Sequence, residues 1–153
     1  MRSRLKLRLL GLAPVVSILI VEDVARDADV LSSSLRLLFG PDLAIVHVRM
    51  IRAISKAIAE ARPDIIFLDD RLSDGGSAET SLELVRAAGY RRPVVVLSGL
   101  LTRSRLIELS RLGVADVVHK DDANAVRLAE AVLKVLESPE AKATTKPKSR
   151  PAN

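Results

Sequence analysis

A chain of 153 residues is long enough for one domain with its own core, and a 48% hydrophobic content excludes a disordered chain. The absence of cysteine excludes a disulfide scaffold, a zinc–thiolate site and a cysteine nucleophile, and it fits a cytoplasmic protein. The formal net charge of +5 sits at the ends, where Arg2, Arg4, Lys6 and Arg8 stand unopposed and Lys142, Lys146, Lys148 and Arg150 face only Glu140. The span between is mildly acidic and the chain is only 2% aromatic, so neither a basic face nor a stacking platform for nucleic acid is expected.

Residues 1–16 read as a basic N-terminal extension. Their apolar part is short and broken by Pro14, unlike a secretory signal, and no segment approaches a membrane span. SILIVED (17–23) is a continuous apolar run, as expected of a strand covered on both faces. VARDADVLSSSLRLLF (24–39) places Ala28, Leu31, Leu35 and Leu38 on one helical stripe, stopped by Gly40-Pro41. LAIVHV (43–48) is a second strand and ISKAIAEA (54–61) a second helix. DIIFLDD (64–70) is the third strand, and AETSLELVRAAG (78–89) a helix with Gly89 at its stop. PVVVLSG (93–99), TRSRLIELSRLG (102–113), VADVVHK (114–120) and NAVRLAEAVLKVLE (124–137) continue the alternation. Residues 138–153 read as a flexible basic tail.

Five strands alternating with five helices predict an α/β fold with a doubly wound, five-stranded parallel sheet, because each parallel crossover needs a helix. Ligands of such sheets bind beyond the carboxyl ends of the strands. The first strand ends in Glu22-Asp23, the third in Asp69-Asp70, the fourth in Ser98-Gly99 and the fifth in His119-Lys120, so reactive side chains gather at one edge. Converging carboxylates repel unless a cation sits between them, and oxygen-only ligands suit a hard ion such as Mg²⁺. A carboxylate beside such an ion can attack phosphorus, while an ammonium and a hydroxyl offset charge developing on the phosphoryl oxygens. Lys120 and Ser98 supply those two groups.

In these residues the sequence resembles a response-regulator receiver domain over residues 17–137. ILIVED, PDIIFLD, PVVVLSG and GVADVVHK occur in the family's order and at fitting separations. The resemblance implies the flavodoxin-like strand order 2-1-3-4-5. It implies that Asp69 is the phosphoacceptor, that Asp23 ligates Mg²⁺ directly and Glu22 through water, and that Arg71 gives the metal its backbone carbonyl. It further implies that Ser98 turns toward the phosphoryl group and that Lys120 pairs with it. The implied partners are a histidine kinase or histidine phosphotransfer protein and a downstream protein target.

Several residues depart from the family's pattern. Asp70 stands where an apolar residue is usual, Ser73 where proline is usual, and Arg71 carries a cation expected to shield the phosphoryl group and slow its hydrolysis. Asp121 replaces a proline that follows a cis bond. A non-proline cis bond costs about 3–4 kcal/mol, so a trans bond is expected, with Asp121 or Asp122 capping the last helix. Val117 stands where relatives carry a rotating aromatic.

Asp70 and Asp74 are expected in solvated loop and turn positions, with Asp70 pointing the opposite way from Asp69. Gly75-Gly76 reads as a turn, and His47 and His119 as structural. In the last helix, Val126, Ala129, Leu133 and Leu136 form one apolar stripe and Leu128, Val132 and Val135 another. With Leu100-Leu101, this width suggests a homodimer or partner face on the fourth helix, fifth strand and fifth helix.

After Lys120 the sequence has room for one helix and a tail, which points to a stand-alone receiver that signals by protein contacts and is not a turnover enzyme. The alternative is a phosphorylation-independent pseudo-receiver adaptor. A haloacid-dehalogenase-type phosphatase would need an aspartate at position 71, where this chain has arginine.

Overall fold

A computed structural model describes residues 14–144; most of the basic N-terminal extension and the tail beyond residue 144 lie outside the described residues. The strands are β1 (Ser17–Val21), β2 (Ala44–Val48), β3 (Ile65–Asp69), β4 (Val95–Ser98) and β5 (Asp116–His119). The helices are α1 (Ala25–Phe39), α2 (Ile54–Ala61), α3 (Ala78–Ala87), α4 (Arg103–Ser110), α5 (Ala125–Leu136) and α6 (Pro139–Thr144). All strand pairs are parallel, in the order β2-β1-β3-β4-β5.

Side chains alternate across the sheet and divide the core in two. Ile18, Ile20, Ile65, Phe67, Val95, Leu97 and Val118 pack against α1 and α5. Leu19, Val21, Ile66, Leu68, Val94, Val96 and Val117 pack against α2, α3 and α4. The central strands β1, β3 and β4 are buried on both faces, which accounts for their unbroken apolar runs. They end one or two residues earlier than the sequence predicts, because Glu22 and Asp70 already belong to the loops beyond the sheet.

Two expectations about the C-terminal part are corrected. Residues 139–144, assigned from sequence to a flexible tail, form a sixth helix. Ser138 Oγ accepts the Ala141 amide at 3.2 Å, Pro139 occupies the first helical position, and Ala141 is buried, so local capping and packing stabilise the turn. Helix α5 is capped by Asn124, whose side chain accepts the Arg127 amide at 2.9 Å, not by Asp121 or Asp122. Those aspartates lie in a 3₁₀ turn, Lys120–Asp122, that delays the helix. No cis peptide bond occurs among the described residues, in keeping with the expected trans bond after Lys120.

Candidate functional site

Strand periodicity decides which acids meet. Asp69 follows Ile65 and Phe67 onto the α1–α5 side, while Asp70 follows Ile66 and Leu68 onto the α3–α4 side. Glu22 follows Ile18 and Ile20 and lands on the Asp69 side. Lys120, two residues beyond Val118 at the end of β5, reaches across with its ammonium 2.8 Å from Glu22, 3.1 Å from Asp27 and 3.3 Å from Asp69. Sequence reasoning missed Asp27; its place in the first turn of α1, four residues after Asp23, was the available signal.

Asp69 and Glu22 are buried, with side chains 6% and 3% exposed. Carboxylate oxygens of Glu22, Asp23 and Asp69 lie within 4.8 Å of one another. Burial, reinforced by the Glu22 charge and opposed by Lys120, pushes the Asp69 carboxyl up to about 7. On Lys120, burial favours the neutral amine, but its hydrogen bonds and ion pairs to Glu22, Asp69 and Asp27 outweigh that and hold it protonated. Asp23 is half-buried; burial pushes its carboxyl up, but hydrogen bonding by the Ser73 side chain and by the Ser73 amide, which donates at 2.8 Å, outweighs this and holds the carboxyl below its usual value. This crowded, anionic pocket of hard oxygen donors fits a divalent cation such as Mg²⁺.

Asp23, Asp69, Arg71, Ser73, Ser98 and Lys120 line one cleft of about 370 Å³ at the carboxyl edge of the sheet. Ser98 is buried at the end of β4, beside the site, and the following Gly99 lies beside the Lys120 stem. The Arg71 amide faces Asp69 Oδ1 at 3.4 Å, and its residue bridges to Ser77 at the rim. The loop after β3 is fixed by Asp74, which accepts from the Ile51 amide and from the Gly76 amide, each at 3.1 Å. Gly75 has φ +88°, and a Cβ at Gly76 would lie 2.6 Å from Cγ2 of Ile51, so this turn needs both glycines. His47 bonds the Glu22 carbonyl, and His119 Nδ1 accepts the Asp121 amide, which gives both histidines structural partners.

Asp70 is not the solvated loop residue expected from sequence. Its side chain is 2% exposed and engages Arg105 of α4 in two contacts, one through Nε at 2.9 Å. Arg105 also binds Glu79 of α3 at 2.8 Å and Glu108 at 2.9 Å. The Arg105 hydrogen bond lowers the Glu79 carboxyl to about 2. A buried carboxylate requires such a partner, and Arg105, 35 residues away, gave no local signal. Val117 is buried, and the expected apolar face is partly realised: Leu100, Leu106, Ile107 and Val126 are exposed, whereas Leu136 is buried and Ala129 and Leu133 are half-buried.

No family model and no curated protein matches the chain. Solved structures do. The signal receiver domain of a protein named as a LuxO repressor from Vibrio parahaemolyticus is 25% identical, with a TM-score of 0.70 over 85% of this chain and 95% of that one. The BeF₃-activated receiver domain of Klebsiella pneumoniae RstA is also 25% identical, with a TM-score of 0.68 over 80% and 99%. The response regulator domain of Thermotoga maritima CheB shows the fold at 23% identity, with a TM-score of 0.67 over 81% and 98%. The strand order, the acidic edge of the sheet and these likenesses agree: the chain carries a receiver domain of the response-regulator family.

Proposed function

We propose that the protein is a single-domain response regulator that accepts a phosphoryl group on Asp69 and signals by protein–protein contacts. The observation that carries this is a buried carboxylate at the floor of an open cleft, with an ammonium 3.3 Å away and two further acids beside it. The donor is a phosphohistidine of a histidine kinase or phosphotransfer protein. An Asp69 carboxylate oxygen attacks phosphorus, the bond from phosphorus to the imidazole nitrogen breaks, and the electron pair leaves with the imidazole. Glu22, Asp23, Asp69 and the Arg71 carbonyl would hold Mg²⁺, which supplies charge neutralisation to the phosphoryl oxygens. Lys120 pairs with those oxygens once the carboxylate it now faces has become an acyl phosphate, and the Ser98 hydroxyl donates a hydrogen bond from the other side of the strand end.

The chain is a switch by this proposal and not a turnover enzyme. Its docking face is α4, β5 and α5, for a downstream target or a second copy, where Leu100, Leu106, Ile107 and Val126 are exposed. Among the described residues no helix is long and apolar enough to cross a membrane, and we place the protein in the cytoplasm with its kinase partner. The adaptor alternative is supported by Val117 in place of an aromatic and by a Lys120 already paired to three carboxylates.

Beryllofluoride, a phosphoryl analogue, separates the two. Added with Mg²⁺, it should shift the backbone amides of Asp69, Ser98 and Lys120, and Asp69→Asn should abolish the shifts while Asp70→Asn leaves them at the site. A wild-type protein that does not respond is an adaptor.

A further inference from the structure

The ion pair of Asp70 and Arg105 lies outside the groups that would handle a phosphoryl group, yet it is tied to one of them. The Asp70 amide donates to the Leu97 carbonyl at 2.8 Å, and its carbonyl accepts the Ala78 amide at 3.1 Å. Its carboxylate holds Arg105, which sits in the first turn of α4, where its amide donates to the capping Thr102 hydroxyl at 3.1 Å. Segment 97–105 is therefore fastened at both ends to one residue. Ser98 lies inside that segment, and strand alternation places it on the face of Val94 and Val96, as it places Asp70 on the face of Ile66 and Leu68. Between Ser98 and α4 run only Gly99, Leu100, Leu101 and Thr102, without regular structure.

A guanidinium fork against a carboxylate fixes orientation as well as distance. Here it is buried on the Asp70 side, so water does not compete for it. A displacement of Ser98 toward Asp69 draws on a four-residue connection whose far end is pinned by Arg105 beside the same strand. Contiguous hydrogen bonds and ion pairs of this kind are one physical route by which sites are coupled.

We infer that Asp70 and Arg105 are positioning residues for the segment that joins the Asp69 site to α4: their pair fastens the far end of segment 97–105 and passes any displacement of Ser98 to α4. This rests on the phosphoacceptor reading. It also supplies a link from site to surface where Val117 offers no rotating aromatic, and it ends on α4, where Leu106 and Ile107 are exposed.

Hydrogen exchange on the full chain, with Mg²⁺ alone and with Mg²⁺ and beryllofluoride, tests it. In wild type, loading should change exchange at amides 103–110 as well as at Ser98 and Lys120. In the double variant Asp70→Asn with Arg105→Gln, the response at Ser98 and Lys120 should persist while that at 103–110 is lost. If this variant does not fold, Arg105→Lys keeps the charge and removes the fork, with the same loss expected. An α4 response equal to wild type in the variant, or a silent α4 in a wild type whose site responds, overturns the positioning role alone. Silence at Ser98 and Lys120 in wild type overturns the phosphoacceptor reading, and the positioning role falls with it.

Discussion

Asp69→Asn should make the protein more stable in the absence of divalent cations. The Asp69 and Glu22 side chains are buried with one ammonium between them, and the Asp69 carboxyl is raised from 3.8 to about 7. Three units at about 1.4 kcal/mol each set a ceiling of roughly 4 kcal/mol on the penalty of ionising it in the fold. Since Lys120 and Glu22 readjust around an amide, a gain of about 2 kcal/mol at pH 8 is expected, or roughly 4–8 °C in Tm for a chain of this size. The sign follows from linkage. Unfolded Asp69 ionises near 3.8 and folded Asp69 near 7, so folding takes up a proton between these values. Wild-type stability contributed by this group therefore falls as pH rises from about 4 to 7 and is level above, while the variant is spared. The difference in Tm, measured by calorimetry across pH 4 to 8, should grow over that window and vanish below it. Millimolar Mg²⁺ should raise the wild-type Tm and leave the variant nearly unmoved, since a ligand stabilises only the state that binds it. A variant no more stable than wild type at pH 8, or a difference that ignores pH, would show that Asp69 is not a strained carboxylate.

Two further outcomes follow from the loop after β3. Asp74→Ala removes one hydrogen bond that joins this loop to the Ile51 amide at the start of the 3₁₀ turn and one to the Gly76 amide within the loop, and should lower stability by about 1–2 kcal/mol in urea unfolding. Arg71→Ala removes an exposed cation from the rim of the cleft and should shorten the lifetime of the aspartyl phosphate several-fold, measured as phosphate release after the donor is removed. An unchanged lifetime would leave Arg71 with only its backbone role.

The parallel sheet, the burial of its central strands on both faces and the gathering of Glu22, Asp23, Asp69, Ser98 and Lys120 at one edge were legible in the sequence, and the strand order was implied by the family resemblance. Continuous apolar runs and their termination in charged residues are local properties, and the alternation of such runs with helices has a parallel sheet as its consistent outcome. The two neighbouring aspartates of the third strand could be told apart as well, since side-chain alternation sends Asp69 and Asp70 to opposite faces. What each one meets there was not legible. Asp27 joins Lys120 and Arg105 joins Asp70 across 93 and 35 residues of chain, and pairs so distant are chosen by how helices pack on the sheet. The sixth helix was missed for a related reason: a Pro, Glu, Ala and Lys composition reads as a tail until Ala141 finds a buried place. The sequence alone determined a parallel sheet with an acidic edge, because side-chain period and strand ends are written residue by residue. Only the tertiary structure decided that Asp70 is a buried anchor for α4, because a lone carboxylate tolerates burial only where the fold brings a cation to it.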